Sequence, residues 1–408
     1  MWPKIVAGKS GVRRLDDDSL SVPLGATPDY AAVRKFGEMD LCSGLALVAA
    51  NEALRDAGLS REAIRSMDVI FGTSKGGIRT FEAANRLLLS RSRTSANPAT
   101  SAVPLSRERA EYPQEAERRH DADAPLSFLG DFLTNSACDR IARHFHCRGA
   151  KLNFVSACAT GTHSILMAAR RVARGKAKAV IAGSSEASLT PLIVAAFDKM
   201  GVLSHRTDEP AAAVRPYDAR RDGFAIGEGS GALVIESLES ALSRGARIRA
   251  EITGWALSGE AYHIASMDPS GESVASTIRL ALEKAGLSPK DLDYINSHGT
   301  ATRQNDVAET RAFKLALGKH AYDIPISSTK PMTGHLLGAT GSVEAIITIL
   351  AIENGFVPPT INLTEPDPEC DLNYTPQVGL RRQIEHALTL NYGFGGQIAA
   401  LILSEFRP

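Results

Sequence analysis

The chain carries one pattern of elements twice, and this limits its architecture more than any other feature. Ala53-Leu54-Arg55-Asp56-Ala57-Gly58-Leu59-Ser60 matches Ala281-Leu282-Glu283-Lys284-Ala285-Gly286-Leu287-Ser288. Each reads as a helix end closed by a glycine just past the last turn. Each is followed by a short strand, Asp68–Thr73 in one copy and Asp293–Thr300 in the other. A second pair follows in the same order. Ala159-Thr160-Gly161 through Gly175 matches Ala339-Thr340-Gly341 through Gly355; both begin Ala-Thr-Gly, run helical and end on glycine at the same offset. One such pair would be weak, because helix–glycine segments are common. Two pairs in one order point to two copies of one α/β unit. The 408 residues suffice for two core-bearing units, with boundaries at 1–245 and 246–408. Short apolar strands at Val69–Gly72, Leu152–Ser156, Ala179–Ala182 and Gly231–Glu236 alternate with helical stretches, which implies α/β layering. The two halves then pack about a pseudo-twofold axis.

The repeat also says where chemistry lies. The apolar run Leu152, Phe154, Val155 reads as a buried strand, and a helical pattern (Ile165, Leu166, Ala168, Ala169, Val172) begins just beyond it. Cys158 falls at that junction, on a tight turn at a helix N-terminus. Unpaired N–H groups and the helix dipole there favour a thiolate over a thiol. Small neighbours (Ser156, Ala157, Ala159, Gly161) leave room for an acyl group beside the sulfur. A free cysteine is also often just a buried apolar side chain, so this segment leaves both readings open. His335 lies just upstream of the second Ala-Thr-Gly, and His298 ends a strand of the second half. Pseudo-symmetry brings these junctions together, so the site is expected between the halves. Singly, His298 reads equally as a satisfied core histidine and His335 as a capping one. His163, one turn into the helix, reads as a packing or dimer residue.

Composition removes several classes of function. Lys plus Arg (46) equals Asp plus Glu (46), so no overall charge draws the chain to nucleic acid or anionic lipid. Cys42, Cys138, Cys147, Cys158 and Cys370 make neither a disulfide framework nor a C-x-x-C metal pattern. They suit a reducing compartment. The start, Met1-Trp2-Pro3-Lys4, lacks a signal peptide's apolar stretch, and no run approaches the roughly 18 apolar residues of a membrane span. The expectation is a soluble, cytoplasmic protein. Residues 95–124, rich in Ser, Pro, Glu and Arg, read as an exposed insertion.

With these residues placed, the chain resembles the β-ketoacyl-acyl-carrier-protein synthases, and most of all the type II elongating, synthase II-like condensing enzymes of the thiolase superfamily. The resemblance rests on Ser156-Ala157-Cys158-Ala159-Thr160-Gly161, Asn296-Ser297-His298-Gly299-Thr300-Ala301-Thr302 and Lys330-Pro331-Met332-Thr333-Gly334-His335. It rests also on Arg215-Pro216-Tyr217-Asp218 with Asp222-Gly223-Phe224 and Gly227-Glu228-Gly229, on Pro358-Pro359-Thr360-Ile361-Asn362-Leu363, and on Gly393-Phe394-Gly395-Gly396. These motifs run from about residue 40 to the end.

The resemblance implies a thiolase-like fold, two duplicated α/β halves stacked as a layered αβαβα sandwich. It implies a decarboxylative Claisen condensation in fatty-acid or polyketide-type biosynthesis. Cys158 takes an acyl chain from acyl carrier protein and passes it to malonyl-acyl-carrier-protein, giving β-ketoacyl-acyl-carrier-protein and CO2. No cofactor of its own is implied, since substrates ride on the carrier's phosphopantetheine. Catalytic roles fall on Cys158, His298, His335 and Lys330, with Glu344 and Phe394 supporting, Phe394 as an acyl gate. Thr300 and Thr302 are implied to bind the phosphopantetheine arm, Phe224 to wall the malonyl pocket, and Phe197 and Leu133 to line the acyl tunnel. The implied assembly is a homodimer, or a heterodimer with a related subunit.

The chain departs from the family pattern in three places. A segment like Ala7-Gly8-Lys9-Ser10-Gly11-Val12 normally follows an opening central strand and a Gly-rich turn. Here it stands at the start, so about 30 residues, with a strand that would be buried in the first sheet, are expected upstream. The 95–124 insertion precedes the expected tunnel region around Leu133–Asn135, and Gln397-Ile398 replaces a small polar residue followed by Asn. Three other functions compete with condensation. A thiolase needs a second cysteine in a C-terminal Cys-x-Gly loop, absent from Gly393-Phe394-Gly395-Gly396. A chain-length-factor-like partner subunit generally lacks the nucleophile, and in a starter-unit decarboxylase the cysteine is usually replaced.

Overall fold

The computed structural model describes residues 1–37, 39–94 and 130–407, with the backbone alone at 87–94. The expected insertion at 95–124 lies outside the described residues. The repeated glycine signal does what its chemistry requires. Helix Leu41–Ala57 starts on the Asp40 side chain, which accepts from the Cys42 N–H, and ends at Gly58 with φ 63°. Its counterpart, Glu272–Ala285, ends at Gly286 with φ 68°. Both glycines hold a left-handed conformation that costs other residues about 1 kcal/mol or more.

Two sheets follow from the two copies. In the first, the strands lie in the order Lys151–Leu152, Asp68–Gly72, Ala179–Glu186, Gly229–Glu236. The first three run parallel and the last antiparallel, with Val69 opposite Ile181 and Ile181 opposite Val234. The second sheet repeats this order as Ile326–Ser327, Tyr294–Asn296, His386–Gly393, Gln397–Ser404, and adds Glu251–Gly259 antiparallel at its edge. The strand that opens the second half is therefore an edge strand.

Helices Thr160–Ala173 and Thr340–Asn354 lie between the sheets. Ile165, Leu166 and Ala168 of one, with Ile349, Ala351 and Ile352 of the other, pack against Val180 and Ala182 below and Ala399 and Leu401 above. Outside them, Leu47, Ala50 and Leu54 of Leu41–Ala57 cover the first sheet through Val69, Phe71 and Ile181. Val274, Ile278 and Leu282 with Ala312 and Phe313 cover the second through Ile295, Leu388, Leu390 and Ala400. The result is the expected five-layer αβαβα sandwich. Segment Leu337–Asn354 is long and apolar enough to cross a bilayer, but 78% of it is buried, and its apolarity serves this central layer.

The two central helices touch at their N-termini, where only glycine fits. A Cβ on Gly161 would lie 2.3 Å from the Ser342 nitrogen, and one on Gly341 2.4 Å from the Thr162 nitrogen. Each half's Ala-Thr-Gly thus faces the other across the pseudo-twofold axis. One strand departs from expectation. The run Leu152–Ser156 is extended-paired only at Lys151–Leu152, and Val155 is 52% exposed. It lies at the edge of the sheet among the described residues, where Leu152 and Phe154 are part-buried against the core between the sheets and Val155 faces out.

Candidate active site

Cys158 stands on the turn that the sequence placed before the helix. Ala157 adopts φ 45°, residues Ala157–Ala159 make one tight turn, and helix Thr160–Ala173 follows directly. The Thr160 hydroxyl locks this turn, donating to the Ala157 carbonyl at 2.7 Å and accepting the Ser156 N–H at 2.8 Å. The second half repeats the device: Leu337 adopts φ 49°, Leu337–Ala339 form the turn, and helix Thr340–Asn354 follows. The left-handed residue is not a glycine in either copy, so strain is held at both turns beside the site.

One cavity of about 490 Å³ receives Cys158, His298, His335, Thr300, Thr302, Phe197, Phe224 and Phe394. The expected site residues are therefore gathered between the halves, with Leu133 the exception among the cavity-lining candidates. Leu133 is 47% exposed and lies outside the cavity lining. The loop Gly393–Gly396 lines the same cavity as Cys158. A Cβ on Gly393 would fall 2.6 Å from the Cys158 nitrogen, so glycine lets this loop reach the cysteine turn. The Phe394 ring lies 6.0 Å from Phe197, and Phe197 5.8 Å from Phe224, centroid to centroid.

The two imidazoles are 5.4 Å apart and nearly perpendicular. His335 is oriented by its Nδ1, which accepts the Leu337 N–H at 3.3 Å and lies 3.0 Å from the Thr340 hydroxyl. An Nδ1 that accepts leaves the proton on Nε2, so this bonding assigns His335 the tautomer that donates from Nε2. Its backbone is stitched to the Phe224 motif by His335 N–H to Ala225 O at 2.8 Å and Gly227 N–H to His335 O at 2.9 Å. His298 packs 4.4 Å from the Tyr392 ring, and its buried Nδ1 has no hydrogen-bond partner among the described residues. Burial first, and then the Lys330 ammonium, hold both imidazoles well below the usual histidine range. Both are neutral at pH 7.

Burial pushes the Cys158 thiol up to about 11, against the downward pull of the Lys75 and Lys330 ammonium groups. This corrects the expectation of a resting thiolate. The helix N-terminus favours the anion, but desolvation outweighs it, and the sulfur keeps its proton at neutral pH.

Lys330 and Glu344 form a buried pair at 2.7 Å, both 1% exposed or less. The other Glu344 oxygen accepts from Asn391 Nδ2 at 2.7 Å, and Asn391 Oδ1 accepts from Thr162. This chain of bonds links the Cys158 helix, the His335 helix and the strand that leads to Phe394. His163 hydrogen-bonds Ser156 at 2.8 Å and stacks on Phe154, in the packing role expected of it.

Several residues of the site were not singled out from the sequence. Glu309 accepts the His298 and Gly299 N–H groups at 2.7 and 2.9 Å and the Tyr217 hydroxyl at 2.9 Å. Burial raises its carboxyl to about 7. Its neighbour Asp306 meets Arg221 at 3.4 Å, and Arg221 also donates to the Arg303 carbonyl at 3.0 Å, fixing the turn that carries Thr300 and Thr302. Their hydroxyls are 2.9 Å apart. The available signal was a helix beginning after Thr302 whose buried face pairs Asp306 and Glu309 with Ala308, Ala312 and Phe313. Acids on an apolar face need partners.

Comparison with known proteins agrees with this geometry. Residues 31–241 match the β-ketoacyl synthase N-terminal domain and residues 249–364 the C-terminal domain. The chain is 38% identical to a 3-oxoacyl-[acyl-carrier-protein] synthase 2 of Synechocystis sp. over 100% of this chain and 94% of that protein. It is 36% identical to the protein of the same name from Coxiella burnetii, over 99% and 94%. A type II polyketide ketosynthase solved with its acyl-carrier protein and a bound hexaketide superposes with a TM-score of 0.86 at 32% identity, covering 100% and 94%. A β-ketoacyl synthase from Burkholderia phymatum gives 0.85 at 32% identity, covering 100% and 95%. With the duplicated sandwich, the cysteine turn and the two histidines in one cavity, these matches establish that the chain belongs to the β-ketoacyl synthase family of condensing acyltransferases.

Proposed function

We propose that the chain condenses a Cys158-bound acyl group with malonyl-acyl-carrier-protein, releasing CO2 and β-ketoacyl-acyl-carrier-protein. The observation that carries this reading is the meeting of Cys158, His298 and His335 in one cavity. In the first half-reaction, the Cys158 sulfur attacks the thioester carbonyl of an acyl-carrier protein. The Cys158 proton leaves with the carrier's thiol. The N–H groups of Cys158 and Phe394 face the developing oxyanion; in other enzymes the loss of one such donor costs about 3 kcal/mol. In the second, the malonyl thioester loses CO2 and its carbonyl becomes an enolate. His335, donating from Nε2, and His298 stabilise that oxygen, a task that suits neutral imidazoles. The enolate carbon then attacks the Cys158 thioester carbonyl, the carbon–sulfur bond breaks, and the expelled Cys158 thiolate takes one proton from solvent to regenerate the thiol.

Thr300 and Thr302 hydrogen-bond the phosphopantetheine arm, Phe224 walls the malonyl side, and Phe394 swings between Gly393 and Gly395 to admit substrate. Lys330, held by Glu344, supplies positive charge beside both histidines. The reaction runs in the cytoplasm, where the five free cysteines stay reduced. The acting unit is a dimer, of two copies or with a related subunit. A thiolase reading would need a second cysteine at the sulfur, yet Cys370 is buried in the core of the second half with Leu372 and Tyr374.

The test is intact mass after incubation with acyl-acyl-carrier-protein and then malonyl-acyl-carrier-protein. Wild type gains an acyl adduct that malonyl addition removes, and Cys158→Ala gains none. A folded wild type that takes no acyl chain refutes condensation and favours a non-condensing partner subunit.

A further inference from the structure

The turn after strand Asp68–Gly72, Thr73-Ser74-Lys75-Gly76-Gly77, carries a lysine to the back of the cavity wall. Its shape is held by Glu186, whose carboxylate accepts from the Ser74 N–H at 3.0 Å, the Gly338 N–H at 3.2 Å and the Ser74 and Ser188 hydroxyls. Four donors occupy that carboxylate, and Lys75 Nζ stays 4.0 Å from it, beyond hydrogen-bond reach. The ammonium donates instead to Ser74 Oγ at 2.7 Å, and lies 5.6 Å from the centroid of the Phe197 ring. An ammonium has three donors, and among the described residues Ser74 is its one hydrogen-bond partner. Phe197 lines the cavity that holds Cys158, so one aromatic ring separates a half-buried cation from the acyl side of the site. The Lys75 charge pulls the Cys158 thiol and the His335 imidazole down, against and with burial respectively.

Such a cation discriminates between acyl groups. A saturated chain that displaces the Phe197 ring meets an ammonium it cannot solvate. An oxo or carboxylate oxygen at the same depth accepts the spare N–H donors. We propose that Lys75 is a specificity residue, selecting acyl groups whose far end carries an oxygen acceptor over plain hydrocarbon chains. This rests on the reading that Cys158 is acylated.

The test measures the rate of Cys158 acylation by intact mass, in wild type, Lys75→Met and Lys75→Arg. The donors are carrier-bound butyryl, hexanoyl and octanoyl groups with chain-matched counterparts ending in a ketone or a carboxylate. Wild type loads an oxygen-ended chain about tenfold or more faster than its methyl-ended match at one or more lengths. Lys75→Met brings that ratio to one or below, and Lys75→Arg keeps it above one. The ketone and carboxylate arms show whether a neutral acceptor suffices or an anion is needed. The ratio within one variant is independent of how much of it is folded. Equal loading of matched chains by wild type, or a Lys75→Met that slows every chain alike, overturns the proposal; the second result would make Lys75 a residue that acts on the sulfur or the fold. A wild type that loads no chain at all refutes the condensing reading, and the inference with it.

Discussion

Removing one partner of the buried Lys330–Glu344 pair is the perturbation whose cost is best defined. In Glu344→Leu, the Lys330 ammonium, 0% exposed, loses the carboxylate 2.7 Å away. Breaking such a pair from one side costs about 4 kcal/mol, because a charge is left buried without its counterion. The Asn391 amide, which donates to Glu344 at 2.7 Å, loses its acceptor and adds about 1 kcal/mol. At roughly 2.1 cal/mol/K of unfolding entropy per residue, the 408 residues convert about 5 kcal/mol into a fall of about 6 °C in Tm. Lys330→Met leaves a carboxylate that can protonate, so its cost is smaller, about 3 kcal/mol, and grows as pH rises. The double variant removes both charges together and returns to within about 2 kcal/mol of wild type. Urea or thermal unfolding of the four proteins closes the cycle, and from these single and double costs a coupling of about 6 kcal/mol or more between the two sites is expected. The double variant should fold yet lose malonyl decarboxylation, because the Lys330 charge that acts on both His298 and His335 is gone. A Glu344→Leu protein within about 1 kcal/mol of wild type, or a double variant no more stable than either single one, would refute the reasoning.

Two further outcomes test the local physics. Because burial raises the Glu309 carboxyl from 4.5 to about 7, the folded state holds a proton that the unfolded chain releases. Its contribution is full below pH 4.5 and is lost as pH rises through 7; the stability difference between wild type and Glu309→Gln should therefore fall by about 3 kcal/mol across that window, read from urea midpoints at a series of pH values. Gly161→Ala would place a Cβ 2.3 Å from the Ser342 nitrogen and 2.6 Å from the Ser184 hydroxyl, and should cost about 3 kcal/mol. Gly175→Ala, with nothing within 4 Å and φ 65°, should cost only about 1 kcal/mol by thermal unfolding.

Much of the molecule was legible in the chain because its signals are local or repeated. Gly58 and Gly286 end helices through their own φ, and the Ala-Thr-Gly junctions announce two turns of one shape. The duplication of those signals is enough to imply two sheets around a shared helical layer. Cys158, His298 and His335 were legible because each sits at such a junction. What the sequence left open depends on neighbours distant along the chain. Val155 looks buried by pattern but lies at a sheet edge, and pattern does not say which strand is outermost. The second half's opening strand goes to the edge of its sheet for the same reason. Cys158 has the local setting of a thiolate, yet burial in the folded chain holds its proton on the sulfur. Glu309, Arg221 and Asn391 act through bonds to residues far away in sequence, and Lys75 acquires a role only where it meets Phe197. Local backbone geometry is written in a few adjacent residues. Burial, sheet order and charge environment are sums over the whole fold, and only the folded chain evaluates them.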